Sequence, residues 1–270
     1  MSVAHVDPVE ASLAARFATR YDELLAQPWV APFYENSGFF NTGYRTDSDA
    51  TQKQACQRLM SELAAWLPPA PSDLLDAGCG LGATTADLRR RFPAARIVGI
   101  NISPGQIEQC RRMVADAEFS VMDAARIEFP DRSFDAVISV EAAFHFSTRE
   151  RFFAESARVL RRGGRLVLSD ILYRDVSVVG GWMVPSANRI TALDSYREQL
   201  AAAGLDSIQV VDATQECWLG FCAGLRKWFR AQHAAGFADA QTAAGVDELS
   251  RRLEGCVAHY VLASATRESA

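Results

Sequence analysis

Leu75-Asp76-Ala77-Gly78-Cys79-Gly80-Leu81-Gly82 is the stretch from which the fold of this chain can be read. A short apolar run, Asp73 to Ala77, gives way to three glycines at alternate positions, and a helical pattern follows from about Ala83 to Phe92. Glycine tolerates a left-handed backbone and puts no Cβ between the main chain and a ligand, so strand, glycine turn and helix together read as a cofactor cradle. The spacing is GxGxG, whereas dinucleotide-binding turns use GxGxxG, with the third glycine one residue later. Asp76 stands directly before the glycines, and the turn holds no lysine or arginine. A carboxylate there repels a pyrophosphate but accepts from an ammonium group, directly or through water. A cationic, phosphate-free cofactor is expected, and a P-loop is excluded. The bland alternative is a turn that is glycine-rich only to bring a helix close to a sheet.

Outward from the turn the same alternation continues. Arg96 to Ile100 reads as a strand, and Ser103-Pro104 opens a helix with a capping residue and proline at its first position. Glu118 to Met122 and Phe134 to Val140 read as strands and Arg149 to Leu160 as a helix, after which Gly163-Gly164 turns into a strand from Arg165 to Asp170. Strands alternating with helices imply βαβ units and a parallel sheet. Beyond Asp170, Thr191 to Ala203 reads as a helix closed by Gly204, Ser207 to Val211 as a strand, Gln215 to His233 as an aromatic amphipathic helix, and His259 to Ser264 as a final edge strand. Upstream, Leu13, Phe17, Tyr21 and Leu24 recur at helical spacing, as does the stretch from Ala50 to Leu67, until Pro68-Pro69-Ala70-Pro71 stops the helix. The expected organisation is a helical cap or lid over 1–70 and an α/β core over 71–270, with insertions near 174–190 and 213–255.

From Asp73 to Asp170 the chain resembles the class I S-adenosylmethionine-dependent methyltransferases, in the small-molecule branch related to quinone, sterol and natural-product enzymes. The DAGCGLG turn is specific to that family; the likeness is close over residues 72–172 and loose in the helical ends. The resemblance implies a Rossmann-like, seven-stranded, mostly parallel sheet flanked by helices, with S-adenosyl-L-methionine as cofactor. It places Asp76, Gly78, Cys79 and Gly80 at the cofactor. Asn101, followed by Ile102, stands where the family binds the ribose hydroxyls, commonly through an acid; asparagine keeps an acceptor and a donor but no charge. That departure also counts against NAD, whose ribose is usually held by a carboxylate. Gln106 would add a polar contact or simply be an exposed helix residue. Asp123, with Ala124, matches the position that receives the adenine amino group. Glu141, Ala142 and His145, at the end of the fourth strand, would line the methionine end of the cofactor and the acceptor site. Asp170, from the adjacent strand, would orient His145 as a general base; the alternative is a histidine satisfied by the backbone. Tyr34, Phe39 and Tyr44 are candidate lid contacts, or aromatics that pack the first helices onto the sheet. Trp182, Met183, Trp218, Phe221, Trp228 and Phe229 would form an acceptor pocket or, by their helical spacing, belong to the core.

The remaining composition narrows the function. There are 28 basic and 33 acidic residues, a net charge of −5, so the phosphate-neutralising stripe of a nucleic-acid enzyme is not expected. Arg89-Arg90-Arg91 and Arg161-Arg162 fall at helix ends, where cations offset the dipole. The six cysteines form no CxxC pair or zinc spacing, and only Glu141 and Asp170 stand where magnesium-dependent relatives keep several carboxylates, so no metal is expected. No apolar run approaches the ~20 residues of a membrane helix, and the first residues lack a secretory pattern; the expected location is cytoplasmic. The expected activity is O-methylation of a small, hydrophobic natural product or lipid-like acceptor with His145 as base, by a monomer or homodimer. C- or N-methylation, and cofactor binding without turnover, are the alternatives; a nicotinamide oxidoreductase is disfavoured by the glycine spacing and Asn101.

Overall fold

The structure, a computed structural model, describes residues 8–180 and 183–268, with the side chains of 8–15 and 18 outside that description. Trp182 and the side chain of Leu13 therefore lie outside the described residues. Three helices, α1 (Pro8–Leu25), α2 (Val30–Phe33) and α3 (Gln52–Ala64), precede the sheet. The first half of the sheet is β1 (Asp73–Ala77), α4 (Ala83–Arg91), β2 (Arg96–Asn101), α5 (Pro104–Met113), β3 (Glu118–Val121) and β4 (Phe134–Val140). The second half is α6 (Arg149–Val159), β5 (Leu160–Tyr173), α7 (Leu193–Ala202), β6 (Leu205–Asp212), α8 (Gly220–Ala234), α9 (Ala240–Cys256) and β7 (Val257–Arg267).

The seven strands run in the order β3-β2-β1-β4-β5-β7-β6, and β7 alone pairs antiparallel, with both β5 and β6. Period-two alternation explains why the strands read as continuous apolar runs. Leu74, Ile97, Ala136, Ile138, Val167 and Leu262 join one buried cluster, whereas Leu75, Val98, Val137, Leu166, Leu168 and Ala263 join the other. The first cluster is covered by α2, α3, α4 and α8, through residues such as Phe33, Leu59, Leu88 and Phe229. The second is covered by α6 and α7, through Phe152, Phe153, Tyr196 and Leu200.

Two expectations change. The 259–264 run is not an edge: β7 lies between β5 and β6, with Tyr260, Val261 and Ala263 fully buried, and β6 takes the edge. Gly163-Gly164 does not separate helix from strand either, because β5 already starts at Leu160 and a register shift against β4 absorbs the glycines. Chain order reverses between β1 and β4: β2 and β3 follow on one side, β5 on the other. Open α/β sheets bind ligands at the carboxyl ends of strands flanking such a switch point, here Ala77-Gly78 and Val140-Glu141.

Candidate active site

An open cavity, about 1290 Å³ of free space with adjoining solvent included, occupies that position. Its wall includes Gly78, Cys79 and Gly80 after β1, Asn101, Ile102 and Gln106 after β2, Asp123 and Ala124 after β3, and Glu141, Ala142 and His145 after β4. Phe17, Tyr21 and Leu25 of α1 and Phe39, Phe40 and Asn41 of the following segment close the other side.

The glycine end is locally encoded. Gly78 and Gly80 take φ values of 80° and 54°, and Gly78 and Cys79 both donate from their backbone N–H to Ile100 O. A Cβ on Gly78 would lie 2.6 Å from that of Ala142, whereas a Cβ on Gly80 would meet nothing within 4 Å. The first glycine thus lets β1 and β4 approach, and the second keeps the cradle open. Asn101 donates to Gln106 Oε1 at 2.8 Å and accepts from Ser103 N–H at 3.1 Å. Asp123 accepts from Ala125 N–H at 2.8 Å.

Asp76 does not line the cavity. It is buried beneath the turn, with Oδ2 accepting from the Thr85 hydroxyl at 2.7 Å and Oδ1 left without a partner. Burial pushes its carboxyl up to about 7. The two wall carboxylates Asp123 and Glu141 and the open space at Gly80 fit a cationic ligand. Among the described residues no lysine or arginine lines the cavity, so a pyrophosphate would lack a charged partner.

The other end gathers side chains from across the chain. Glu141 has φ 51°, an uncommon conformation for a non-glycine residue, held by its N–H on Ser169 O at 3.0 Å. Its Oε1 accepts from Thr42 N–H at 2.8 Å, the Thr42 hydroxyl at 2.7 Å and the Tyr260 hydroxyl at 2.6 Å. Burial raises the Glu141 carboxyl, and those three donors pull it back. His145 sits on the short 3-10 turn Ala143–His145. Its Nδ1 is 2.6 Å from Met183 O and its Nε2 is 2.5 Å from the Tyr21 hydroxyl. A carbonyl only accepts, so Nδ1 carries the hydrogen and Nε2 holds the lone pair, towards which Tyr21 donates. Burial lowers the imidazole to about 4, which keeps it neutral at ordinary pH.

The expected His145–Asp170 pair is not formed. Asp170 is fully buried; its Oδ2 accepts from Arg149 Nε at 2.7 Å and the Tyr196 hydroxyl at 3.1 Å, and its Oδ1 from Ile171 N–H. A buried carboxylate needs a full charge partner, which Arg149 offers and a neutral imidazole does not. Tyr34 is likewise absent from the wall; it packs at 5.1 Å from Phe33 and 5.5 Å from Phe40 in the first core cluster. Tyr44 also stays outside, whereas Phe39 lines the cavity. Of the pocket aromatics, Phe221, Trp228 and Phe229 pack on Phe33 or Trp29, and Trp218 donates to Leu253 O. They are core, and the 213–255 segment contributes nothing to the wall. The segment near 174–190 reaches the site through Met183 O and through Asn188, which donates to Phe144 O and Phe146 O. Sequence reasoning missed Tyr21, Thr42 and Tyr260 as site residues, and no spacing links them to Glu141 or His145. Among the described residues there is no group of three metal-ligating side chains, and no helix is long and apolar enough to cross a membrane.

Comparison with known proteins gives the family. A methyltransferase domain family model matches residues 75–168, from β1 into β5. The 27-O-demethylrifamycin SV methyltransferase of Amycolatopsis mediterranei is 35% identical over 213 residues, covering 72% of this chain and 74% of that protein. Among solved structures, the [4+2]-cyclase SpnF superposes with a TM-score of 0.76 at 24% identity, over 95% of this chain and 97% of that one. The geranyl diphosphate C-methyltransferase of Streptomyces coelicolor A3(2), solved with Mg2+, geranyl diphosphate and S-adenosyl-L-homocysteine, gives 0.65 at 19% identity, over 90% and 98%. Those two likenesses show the fold. With the sequence match, the glycine turn and the phosphate-averse wall, they place the chain: it belongs to the S-adenosylmethionine-dependent methyltransferases, with S-adenosylmethionine as its cofactor.

Proposed function

We propose that the chain methylates a hydroxyl oxygen of a small, hydrophobic, natural-product or lipid-like acceptor, with His145 as general base. The observation that carries this reading is the imidazole itself. Met183 O fixes the hydrogen on Nδ1, so Nε2 presents a lone pair at the cavity wall, where it already accepts from a hydroxyl. A relative named for 27-O-demethylrifamycin SV supports oxygen as the target.

Gly78, Gly80, Asn101, Gln106 and Asp123 would hold the cofactor, with Asp76 supporting the turn from below. S-adenosylmethionine, when bound, supplies a methyl group on a sulfonium, the S–C bond pair staying with sulfur as the O–C bond forms. Phe17, Leu25, Phe39, Phe40 and Phe146 supply an apolar wall that excludes water and suits a hydrophobic acceptor. His145 Nε2 takes the hydroxyl proton as the oxygen attacks, and alignment within the cavity supplies much of the rest. Glu141, tied at Oε1 by three donors, anchors the 41–44 segment over the strand ends. His145→Ala should lower kcat at least about 100-fold, roughly 2.7 kcal/mol of barrier, with cofactor affinity unchanged by calorimetry. A variant with near-normal turnover would remove the base from this reading.

A further inference from the structure

The lone pair assigned to the acceptor is already in use. The Tyr21 hydroxyl, from α1, donates to His145 Nε2 at 2.5 Å. The ring behind that hydroxyl is boxed by aromatics: it stands edge-on to the imidazole at 5.5 Å and 89°, and to Phe40 at 6.0 Å and 80°. Phe17 meets the imidazole edge-on at 5.2 Å, and Phe144 packs against it at 3.9 Å. Tyr21, Phe17, Phe40 and His145 all face the cavity. A flat ring with its hydroxyl on the base is therefore what this end of the cavity holds, and a side chain of the cap is what occupies the place.

We propose, resting on the His145 reading above, that the acceptor is a phenol, and that its aryl hydroxyl displaces Tyr21 from His145 Nε2 as α1 draws back. Tyr21 is thus an internal surrogate for the acceptor. It keeps Nε2 hydrogen-bonded and neutral until a molecule of the same chemistry replaces it. The near-perpendicular packing against Phe40 favours an aromatic acceptor over a saturated one of equal size, because an edge-to-face contact needs a second ring.

Acid–base chemistry points the same way. Burial holds the imidazole at about 4, which makes it a weak base. Burial raises any hydroxyl placed here, as it does that of Tyr21, but a phenol starts at about 10, below an aliphatic alcohol, and so lies closer to the imidazole in the proton-transfer equilibrium. A weak base completes the transfer more readily with the more acidic hydroxyl. The proton goes to Nε2, and the bonds made and broken are those of the O-methylation already described.

Binding of three matched probes to the full chain tests the idea: 4-propylphenol, propylbenzene and 4-propylcyclohexanol. Tyr21→Phe removes the competing hydroxyl and keeps the ring. It should bind 4-propylphenol about 2–10-fold more tightly than the wild type, the range set by one ordinary hydrogen bond. Propylbenzene should gain nothing, and 4-propylcyclohexanol should remain the weaker alcohol in both proteins. In the wild type, tyrosine labelled with 13C at Cζ reports displacement directly, so a variant that folds poorly does not decide the matter. The Tyr21 resonance should shift with 4-propylphenol and stay with the other two. An unmoved Tyr21 signal at saturating phenol, or equal gains for phenol and cyclohexanol, would overturn the proposal. Neither readout depends on turnover, so their failure is separable from a failure of the general-base reading, which His145→Ala tests.

Discussion

At the glycine end of the cavity, Gly78, Gly80, Asn101 and Gln106 belong to one continuous strand–turn–helix–strand–helix run. At the acceptor end, Glu141 and His145 are held by Tyr21 from α1, Thr42 from the segment after α2, Met183 beyond β5 and Tyr260 from β7. The first region is set by local backbone geometry and stands ready once β1 and β2 pair. The second exists only when distant parts of the chain have converged, and its groups carry the displaced acid–base properties of buried side chains. Cofactor binding and acceptor chemistry are thus built on different physical footings, one of turn conformation and one of long-range packing.

Perturbations should separate the two. The largest effect is expected beneath the acceptor end: Asp170→Ala leaves Arg149 buried without its charge partner and should cost about 3–5 kcal/mol in urea unfolding. If Asp170 instead served His145, turnover would fall while stability held, and the assignment to Arg149 would be broken. Next comes acid. His145 has a folded value of about 4 against an ordinary 6.5, so the unfolded chain takes up its proton first as pH falls. Stability from this group is complete above about 6.5 and is lost between there and about 4, by at most about 3 kcal/mol. Asp76, raised to about 7, acts in the opposite sense, gaining stability as pH falls from about 7 towards 3.8. The difference between wild type and His145→Gln isolates the imidazole; identical pH profiles for the two would refute its depressed value. The smallest effect sharpens the glycine end. Gly80→Ala and Gly204→Ala place a Cβ in open space at φ 54° and 80°, and each should cost about 1–2 kcal/mol. Only Gly80→Ala should also weaken S-adenosylmethionine binding, since Gly204 lies outside this cavity. Equal affinity in both variants would mean that the cofactor does not lie against Gly80.

The same contrast explains which features are legible in the amino-acid sequence. The strand at Asp73–Ala77, the glycine turn and the Ser103 cap with Pro104 are legible because each is decided within a few residues, and Ser103 does accept from Gln106 N–H. Asn101, Gln106, Asp123, Glu141 and His145 reach the wall because strand ends in this topology are bound to converge there. Asp170 also sits near a strand end, but which cation it meets depends on how α6 seats Arg149, and no spacing in the sequence encodes that. Tyr34 and Tyr21 illustrate the same limit within the cap: both are aromatic and near the site, yet only the helix packing decides that Tyr21 faces the imidazole and Tyr34 the core. Whether β7 is an edge or an interior strand is likewise a matter of pairing, which an apolar run alone does not disclose.

That placement of β7 has a consequence for synthesis. β5 and β6 pair with β7 and not with each other, and β7 follows both in chain order. While the ribosome is still making residues 213–256, the emerging chain carries two strand edges with open hydrogen-bonding rows, a state prone to sticking. Tyr260 arrives on the strand that closes both edges, and its hydroxyl completes the set on Glu141. The acceptor end is therefore finished by the same event that makes the nascent sheet safe, so a chain cut short before β7 would lack both at once.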